Sequence, residues 1–281
     1  MKIFNTLSGK KEIFKPIDDN KIRMYICGMT VYDDTHIGHA RTFLSFDLIV
    51  RYLRSIDYEV QYIRNITDVD DKIIARAEEL NISPSELTKD CINSMHNDFQ
   101  AIGMISPDAE PRATENIDSI ISLITKLIDK GHAYVGDSDV FFSTESFEEY
   151  GKLSKRKLED MLSGARIDID LDKKNPADFV LWKKDTEGLK WDSPWGPGRP
   201  GWHIECSAMS MDALGETFDI HVGGSDLKFP HHENEIAQSE CVTGKEFAKV
   251  WMHTGSLRID EQKMSKSLKN FITIKEALSN S

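Results

Sequence analysis

The fold is indicated by the segment Arg23-Met24-Tyr25-Ile26-Cys27-Gly28, which is followed a short turn later by His36-Ile37-Gly38-His39. The first segment is an apolar run that stops at a glycine, which is typical of a buried strand. From His36 to Leu53 apolar residues recur at helical spacing, and Glu59-Val60-Gln61-Tyr62-Ile63 alternates like a second strand. Strand, helix and strand in this order predict an α/β protein with a Rossmann-like, doubly wound parallel sheet, in which ligands bind at the carboxyl ends of the strands.

Outward from this unit the pattern changes twice. Helical spacing continues to about Lys130, with helix starts predicted at Ser83-Pro84 and Ser106-Pro107. From Gly131 to Arg199 short strands and turns dominate, and prolines crowd the far end. The rest predicts, in order, a helix over Trp202–Leu214, a strand over Phe218–Val222, a helix over His231–Cys241 and a strand over Val250–His253.

These changes predict three parts. Residues 1–130 are predicted to form the first half of the Rossmann-like domain, and residues 131–200 a connective insertion. Residues 201–281 form the second half, which ends in a loop around Lys263-Met264-Ser265-Lys266-Ser267 and one short helix.

Composition restricts the function. Lys and Arg total 35 against 47 Asp and Glu, a net charge of −12, so strong non-specific binding to nucleic acid is not expected and any RNA contact should be local. There is no signal-peptide pattern at the N-terminus and no apolar run of membrane-spanning length. The 4 cysteines show no C-x-x-C spacing and read as reduced thiols, so we expect a cytoplasmic protein with no membrane contact.

Two histidines and two lysines have the properties of a nucleotide site. His36 and His39 are three residues apart at a helix start, where free N–H groups and the positive end of the helix dipole favour phosphate. Gly38 allows close approach of a ligand to the backbone. Lys263 and Lys266 would add mobile positive charges for the phosphate groups of a bound nucleotide.

A glycine turn follows the strand that ends at Val222. In Gly223-Gly224-Ser225-Asp226, the backbone at Gly224 and the carboxylate of Asp226 could contact a ribose. On spacing alone an ordinary glycine turn is an equal interpretation.

A mixed set of sulfur, nitrogen and oxygen ligands is present for a metal. His231 and Glu235 are four residues apart and would share a helix face, although His232 with Glu235 or Glu233 is a competing choice. Cys27 at the end of the first strand and Cys206 on a helix would complete a set that zinc accepts. Spacing alone does not bring the four together, and buried cysteines are commonly no more than small apolar residues.

The sequence resembles two signatures of class I aminoacyl-tRNA synthetases, HIGH at residues 36–39 and KMSKS at residues 263–267. More specifically, Gly201-Trp202-His203-Ile204-Glu205-Cys206-Ser207-Ala208-Met209 and Phe229-Pro230-His231-His232-Glu233-Asn234-Glu235-Ile236-Ala237-Gln238 are similar to motifs of cysteinyl-tRNA synthetases. The similarity extends over essentially the whole chain, including Ile3-Phe4-Asn5-Thr6-Leu7 and Arg64-Asn65-Ile66-Thr67-Asp68.

The resemblance implies ATP-dependent activation of L-cysteine to cysteinyl-adenylate and its transfer to tRNA(Cys). It implies one zinc ion at Cys27, Cys206, His231 and Glu235, which would select the substrate as a thiolate. Gly28, Thr67 and Trp202 would surround the cysteine, and Lys266 would be the KMSKS lysine that contacts ATP. Mg²⁺ is expected from ATP chemistry alone, and a monomer is expected from the family.

Two other functions remain open at this stage. A cysteine:amino-sugar ligase, as in mycothiol biosynthesis, would share these motifs, and a non-catalytic zinc- or RNA-binding paralogue would share the fold. Only 14 residues follow KMSKS. Cysteinyl-tRNA synthetases usually continue into a helical region and an anticodon-reading domain, so we expect this chain to form adenylate but to bind and charge tRNA poorly. The basic segment Lys152-Leu153-Ser154-Lys155-Arg156-Lys157 is a candidate contact for the acceptor end, or equally a solvated face.

Overall fold

The computed structural model describes residues 1–156, 172–185, 188–259, 262–264 and 270–280. The strands in chain order are β1 (Lys2–Asn5), β2 (Lys10–Ile13), β3 (Lys21–Ile26), β4 (Glu59–Arg64), β5 (Ala133–Val135), β6 (Asp139–Phe142), β7 (Phe179–Lys184), β8 (Gly198–Pro200), β9 (Phe218–Gly224), β10 (Ala248–Thr254), β11 (Arg258–Ile259) and β12 (Gln262–Lys263). The α-helices are α1 (Ile37–Ser55), α2 (Asp71–Leu80), α3 (Pro84–Ala101), α4 (Ile117–Asp129), α5 (Trp202–Leu214), α6 (Glu233–Thr243) and α7 (Ile274–Ser279).

A four-stranded parallel sheet in the order β10-β9-β3-β4 is the centre of the fold. The chain leaves β3 through α1 to β4 on one side and leaves β9 through α6 to β10 on the other. The strand order therefore reverses between β3 and β9, and this reversal opens a crevice at the carboxyl ends of the strands. The predicted doubly wound parallel sheet is confirmed.

Both faces of this sheet are buried, as the continuous apolar character of β3 predicts. Met24 and Ile26 pack with Phe43 of α1 in one hydrophobic cluster. Tyr25 points the other way and packs with Ile236 of α6 in a second cluster. The alternation of side chains along β3 thus attaches helices to both faces of the sheet.

The strands β5 to β8 form a separate antiparallel sheet whose residues all lie between 133 and 200. Its apolar face packs on α4 and α5, for example through Phe142 and Trp182 against Leu123 and Ile204. The boundaries 1–130, 131–200 and 201–281 themselves stay a prediction.

Polar contacts fasten this sheet and its loops to the parallel-sheet layer. Asp71 at the start of α2 forms ion pairs with Arg199 and, at 3.0 Å, with Lys183. The buried carboxylate of Glu233 on α6 accepts hydrogen bonds from three backbone N–H groups of residues 151–154, at 2.7–3.1 Å. The hydroxyl of Tyr150 donates to Asn234 on the same helix.

The predicted helix start at Ser83-Pro84 is confirmed, because the capping residues that determine it are adjacent in sequence. Helix α3 begins at Pro84, and Ser83 caps it by accepting a hydrogen bond from the N–H of Glu86 at 3.2 Å. The predicted helix start at Ser106-Pro107 is wrong, because the following residues run along the edge of β4. There the N–H of Arg64 donates to the carbonyl of Ala109 at 3.2 Å, and the side chain of Asp108 accepts from the N–H of Tyr62 at 2.7 Å.

The predicted helix over residues 231–241 starts later than expected. Helix α6 begins at Glu233, and a π-type turn over Lys228–His232 precedes it. Phe229 within this turn is extended, with φ −145° and ψ 132°. His231 and His232 therefore lie at a bend that turns into α6. None of the helices in the described ranges combines the length and the apolar character needed to cross a membrane.

Candidate active site and metal centre

A cavity of about 430 Å³ lies at the carboxyl ends of the parallel strands. Four chain segments form most of its wall: the turn after β3, the start of α1, the end of β9 with its following turn, and the end of β10 with its following turn. Lys72, Trp202 and Met264 from other segments complete it. The site residues among those lining it are Cys27, Gly28, His36, Gly38, His39, Trp202, Gly224 and Asp226. The crevice expected from the reversal of strand order is therefore the place where the structure gathers most of the predicted residues.

His36 and His39 form one end of this cavity and cap α1 reciprocally. The N–H of His39 donates to Nδ1 of His36 at 3.2 Å, and the N–H of His36 donates to Nδ1 of His39 at 3.3 Å. Their rings stack with centroids 3.6 Å apart. The cap fixes both rings against the cavity. His36 and His39 therefore cap the helix and are also available to contact a ligand.

Gly38 lies at a close approach between this helix start and the KMSKS region. A Cβ built on Gly38 would lie 2.9 Å from Cε of Met264 and 3.0 Å from the ring of His36. Met264 is itself buried and lines the cavity. The space beside Gly38 is thus bounded by the ends of two side chains.

The predicted ribose turn lies across the cavity from α1. The N–H of Ser225 donates to the carbonyl of Thr254 at 2.8 Å, and the N–H of Leu227 donates to the carbonyl of Gly224 at 3.0 Å. These bonds present Gly224 and the side chain of Asp226 to the cavity. The backbone of Lys263 belongs to β12, and Lys266 and the side chain of Lys263 lie outside the described residues.

The three predicted contacts for the amino acid have different positions. The N–H of Gly28 donates to the side-chain oxygen of Asn65 at 2.8 Å, which fixes the turn after β3. Trp202 is half-exposed at the start of α5, and its ring centroid lies 4.3 Å from that of His231. Thr67 is buried behind this turn and is not among the residues that line the cavity. The assignment of Thr67 to the substrate stays a prediction.

Cys27, Cys206, His231 and Glu235 converge next to Gly28. Their ligand atoms all lie within 4.8 Å of one another, and all four residues are buried. The Sγ atom of Cys27 is 3.7 Å from Sγ of Cys206 and 3.3 Å from Oε1 of Glu235. Nε2 of His231 is 3.2 Å from the same oxygen. Residues far apart in sequence therefore meet at Cys27, and we call the cavity wall at Cys27 and Gly28 its inner end.

These separations fit a tetrahedral zinc ion. Zinc bonds of about 2.0–2.3 Å to nitrogen, oxygen and sulfur give ligand–ligand edges of roughly 3.3–3.8 Å in a tetrahedron. The observed distances of 3.2, 3.3 and 3.7 Å match such edges within the tolerance of ordinary side-chain movement. Two sulfurs, an imidazole and a carboxylate are also a donor set suited to zinc.

Burial controls the protonation of this cluster. Burial raises the pKa of the Cys27 thiol well above its usual value, and the neighbouring Cys206 and Glu235 raise it further. A hydrogen bond with Cys27 lowers the pKa of Cys206, but burial and nearby carboxylates outweigh it and the net shift is upward. Burial lowers the pKa of His231 well below its usual value. Without a cation the thiols are protonated and the imidazole is neutral, which is the state that exchanges protons for a metal.

A second group of possible ligands overlaps the first, and one of its members, His221, was not predicted from the sequence. His221 and His232 combine with Cys27 and Glu235 at comparable separations. Nε2 of His221 lies 2.7 Å from Oε2 of Glu235, at the side of the carboxylate away from Cys27. His221 was missed because it sits within the apolar strand β9. A polar residue inside an otherwise buried strand was the available signal.

Fold and site together define the class of this chain. Residues 13–281 match the family model described as tRNA synthetases class I (C) catalytic domain. The chain belongs to this family of class I tRNA synthetase catalytic domains. The structure is also similar to Mycobacterium tuberculosis methionyl-tRNA synthetase in complex with methionyl-adenylate, with a TM-score of 0.72 at 16% identity over 92% of this chain and 62% of that one. At this identity the likeness concerns the fold alone.

The similar curated sequences are cysteine–tRNA ligases. The chain is 60% identical over 280 residues to the enzyme of Marinomonas sp. (strain MWYL1) and 59% identical over 280 residues to that of Haemophilus influenzae (strain PittGG). Each alignment covers 99% of this chain and 61% of the relative. The chain therefore spans about three-fifths of the length of the curated relatives that it matches.

Proposed function

We propose that this chain activates L-cysteine with ATP to give cysteinyl-adenylate and pyrophosphate, and that the cysteinyl group is then transferred to the 3′ end of tRNA(Cys). The observation that carries this proposal is the buried cluster of Cys27, Cys206, His231 and Glu235 beside a cavity whose wall contains Cys27, His36 and His39. The similarity to cysteine–tRNA ligases supports it.

Selection of cysteine would come from the inner end of the cavity. Zinc held by these four residues would supply a cation that can take a substrate thiolate as a further ligand, and for which a serine hydroxyl is a poor replacement. The backbone at Gly28 and the ring of Trp202 flank this end and would hold the rest of the amino acid. A strong bond of this kind can discriminate by about 10⁴–10⁵, so no separate editing site is required.

Adenylate formation needs positioning and charge stabilisation at the other end. A carboxylate oxygen of cysteine attacks the α-phosphorus of ATP, and the bond to the β-phosphate oxygen breaks as pyrophosphate leaves. In our proposal His36, His39, Lys263 and Lys266 stabilise the charge that develops on these oxygens, while Gly38, Gly224 and Asp226 hold the nucleoside. Mg²⁺ would accompany the ATP phosphates. The closeness of both ends in one cavity supports an in-line reaction between the two substrates.

Exchange of labelled pyrophosphate into ATP tests the activation step. We expect exchange that depends on cysteine, proceeds only weakly with serine, and falls when the metal is removed by a chelator and returns with zinc. Absence of cysteine-dependent exchange from folded, zinc-loaded protein would refute the proposal.

The acceptor is tested separately, because the chain spans about three-fifths of its relatives' length. Labelled cysteine is supplied with tRNA(Cys) or with an amino-sugar after adenylate has formed. Labelled tRNA supports transfer to tRNA, whereas an amide of the sugar would identify an amino-sugar ligase. Exchange without either product leaves the activation step established and withdraws the transfer step.

A further inference from the structure

His203 makes a direct contact with His231. His203 is the second residue of α5, and its Nδ1 lies 2.8 Å from Nδ1 of His231. The other nitrogen of His231, Nε2, faces the candidate ligand cluster, 3.2 Å from Oε1 of Glu235. The two nitrogens of His231 are therefore assigned to two different neighbours.

Hydrogen-bonding rules allow this contact in two ways. A hydrogen bond between two Nδ1 atoms requires that one carries the hydrogen and the other accepts it. If Nε2 of His231 is to ligate a metal, its lone pair must be available, so in the neutral ring the hydrogen sits on Nδ1. His203 must then be the acceptor, with its own hydrogen on Nε2. The opposite arrangement would place a hydrogen on Nε2 of His231 and prevent ligation.

The surroundings of His203 hold its ring in place. The ring of Phe179 on β7 meets it edge-on, with centroids 5.7 Å apart and an interplanar angle of 87°. The ring of Trp202 lies 5.2 Å away on the same helix. His203 is thus packed between the antiparallel sheet and the candidate ligand cluster, and two aromatic rings hold its orientation.

We propose that His203 is a positioning residue for the metal centre: its Nδ1 accepts the Nδ1–H of His231 and thereby directs Nε2 of His231 toward Cys27, Cys206 and Glu235. The inference rests on the proposed function for the identity of the ligand set. Partners of metal-bound histidines act in this way by fixing the tautomer and the ring orientation, and their loss typically weakens metal binding about 10–100-fold.

A second histidine pair provides a matched comparison. Nδ1 of His232 lies 2.8 Å from Nε2 of His253, and Nδ1 of His253 lies 2.9 Å from the hydroxyl of Thr6. His232 belongs to the overlapping group with His221, so His253 would support a metal bound there. The two pairs therefore distinguish the two ligand sets.

The experiment measures zinc affinity without ATP or cysteine. The chain is stripped of metal and titrated with Zn²⁺ against a chromophoric chelator, as wild type and as His203→Phe, His203→Asn and His253→Phe. We expect His203→Phe to raise the zinc Kd about 10–100-fold. His203→Asn should stay within about threefold of wild type, because its side-chain oxygen can accept at the position of Nδ1. His253→Phe should change the Kd by less than about threefold.

Circular dichroism and thermal melting establish whether each variant is folded. If His203→Phe does not fold, the zinc Kd of His203→Asn still tests the proposal. A wild-type Kd in folded His203→Phe, an equal loss in His203→Asn, or a larger loss in His253→Phe would each overturn the proposal. So would a wild-type chain that does not bind zinc. Zinc binding that follows the expected pattern, in a chain without cysteine-dependent exchange, would refute the proposed function and leave this inference standing.

Discussion

The two ends of the cavity are built differently. At the metal end, Cys27, Cys206, His231 and Glu235 are at most 3% exposed, and their side chains already lie within bonding distance of a common point. At the nucleotide end, His36, Gly38 and His39 are partly exposed, and a helix cap and the side chain of Met264 define the surface. The end that would choose the amino acid is preformed in the core, whereas the end that would bind ATP is partly exposed and is bounded in part by the flexible side chain of Met264.

Two glycines illustrate this difference. A Cβ on Gly28 would lie 1.7 Å from the backbone oxygen of Asn65, which cannot move without shifting the strand end. A Cβ on Gly38 would meet only the ends of Met264 and His36, at 2.9 and 3.0 Å. Tolerance to one added methyl group should therefore differ between the two ends.

The largest effect is expected from removing a metal ligand. Cys206→Ala deletes one sulfur from the buried cluster, so we expect zinc to be lost and cysteine-dependent pyrophosphate exchange to fall on the order of 10⁴-fold in kcat/KM. Zinc content and exchange rate are measured on the same preparation. Cys91→Ser on α3, outside the cavity-lining residues, is the matched control and should retain both. Retention of zinc and activity by Cys206→Ala would show that the metal end is not what selects cysteine.

His39→Ala should separate the two ends. Loss of one group that stabilises the transition state typically lowers the rate about 10²–10³-fold. Zinc stoichiometry should remain at the wild-type value, because His39 belongs to neither group of candidate metal ligands. His96→Ala, an exposed histidine on α3 paired with Glu110, is the control for a simple loss of imidazole. A loss of zinc in His39→Ala would contradict the independence of the ends.

The glycine pair gives a smaller contrast. Overpacking against fixed structure typically costs about 1–3 kcal/mol, so Gly28→Ala should lower kcat/KM for cysteine by about 10–100-fold. Gly38→Ala should raise KM for ATP less than about tenfold, since the nearest atom belongs to the flexible side chain of Met264, which can move. Both variants are compared with Gly9→Ala, whose position has no atom near the added methyl group but has a φ of +69° and so reports backbone strain alone. Equal losses in Gly28→Ala and Gly38→Ala would remove the distinction drawn here.

Acid should weaken the fold through the histidines around the metal end. Burial lowers the pKa of both His203 and His253 to about 3. The folded pKa lies below the unfolded value of about 6.5, so between these values the unfolded chain binds more protons and acid favours unfolding. This contribution to stability is complete above about pH 6.5 and is lost as the pH falls toward 3. Each histidine should remove about 1.4 kcal/mol per pH unit below pH 6.5, in urea unfolding of the metal-stripped protein.

His253→Gln provides the control for this pH dependence. This variant should reduce the change in unfolding free energy per pH unit by the contribution of one histidine. The unfolding free energies of variant and wild type are compared at the same pH values. A free energy of unfolding that stays constant from pH 7 to pH 5 would contradict the prediction.

Much of the fold was predictable because it is decided locally. The strand, helix and strand around residues 23–63 follow from apolar spacing, and Ser83-Pro84 marks a helix start through its own capping chemistry. Ser106-Pro107 carries a similar local signal but does not start a helix, since pairing with the edge of β4 takes the following residues. The predicted start of the helix at His231 was two residues too early, because the four-residue spacing of His231 and Glu235 is that of a helix face although His231 lies in the preceding bend.

The site was predictable in its residue types and not in its connections. Motif resemblance named Cys27 and Cys206, but only the folded chain brings together two sulfurs 179 residues apart in sequence. The partners of the candidate ligands, His203 and His221, carry no spacing signal, because each contact crosses between elements. Tertiary contacts of this kind depend on packing and not on periodicity.

The hydrogen bonds of the Glu233 carboxylate also affect how the protein unfolds. Its oxygens are satisfied by the backbone of residues 151–154, within the antiparallel part, although Glu233 itself belongs to α6, two residues before a candidate metal ligand. Removing residues 131–200 would take these donors from Glu233 and expose the surface of α6 that they cover, so the packing of α6 depends on both parts of the chain. The two sheets should therefore unfold as one cooperative unit, and amide hydrogens of both should exchange with the same opening free energy.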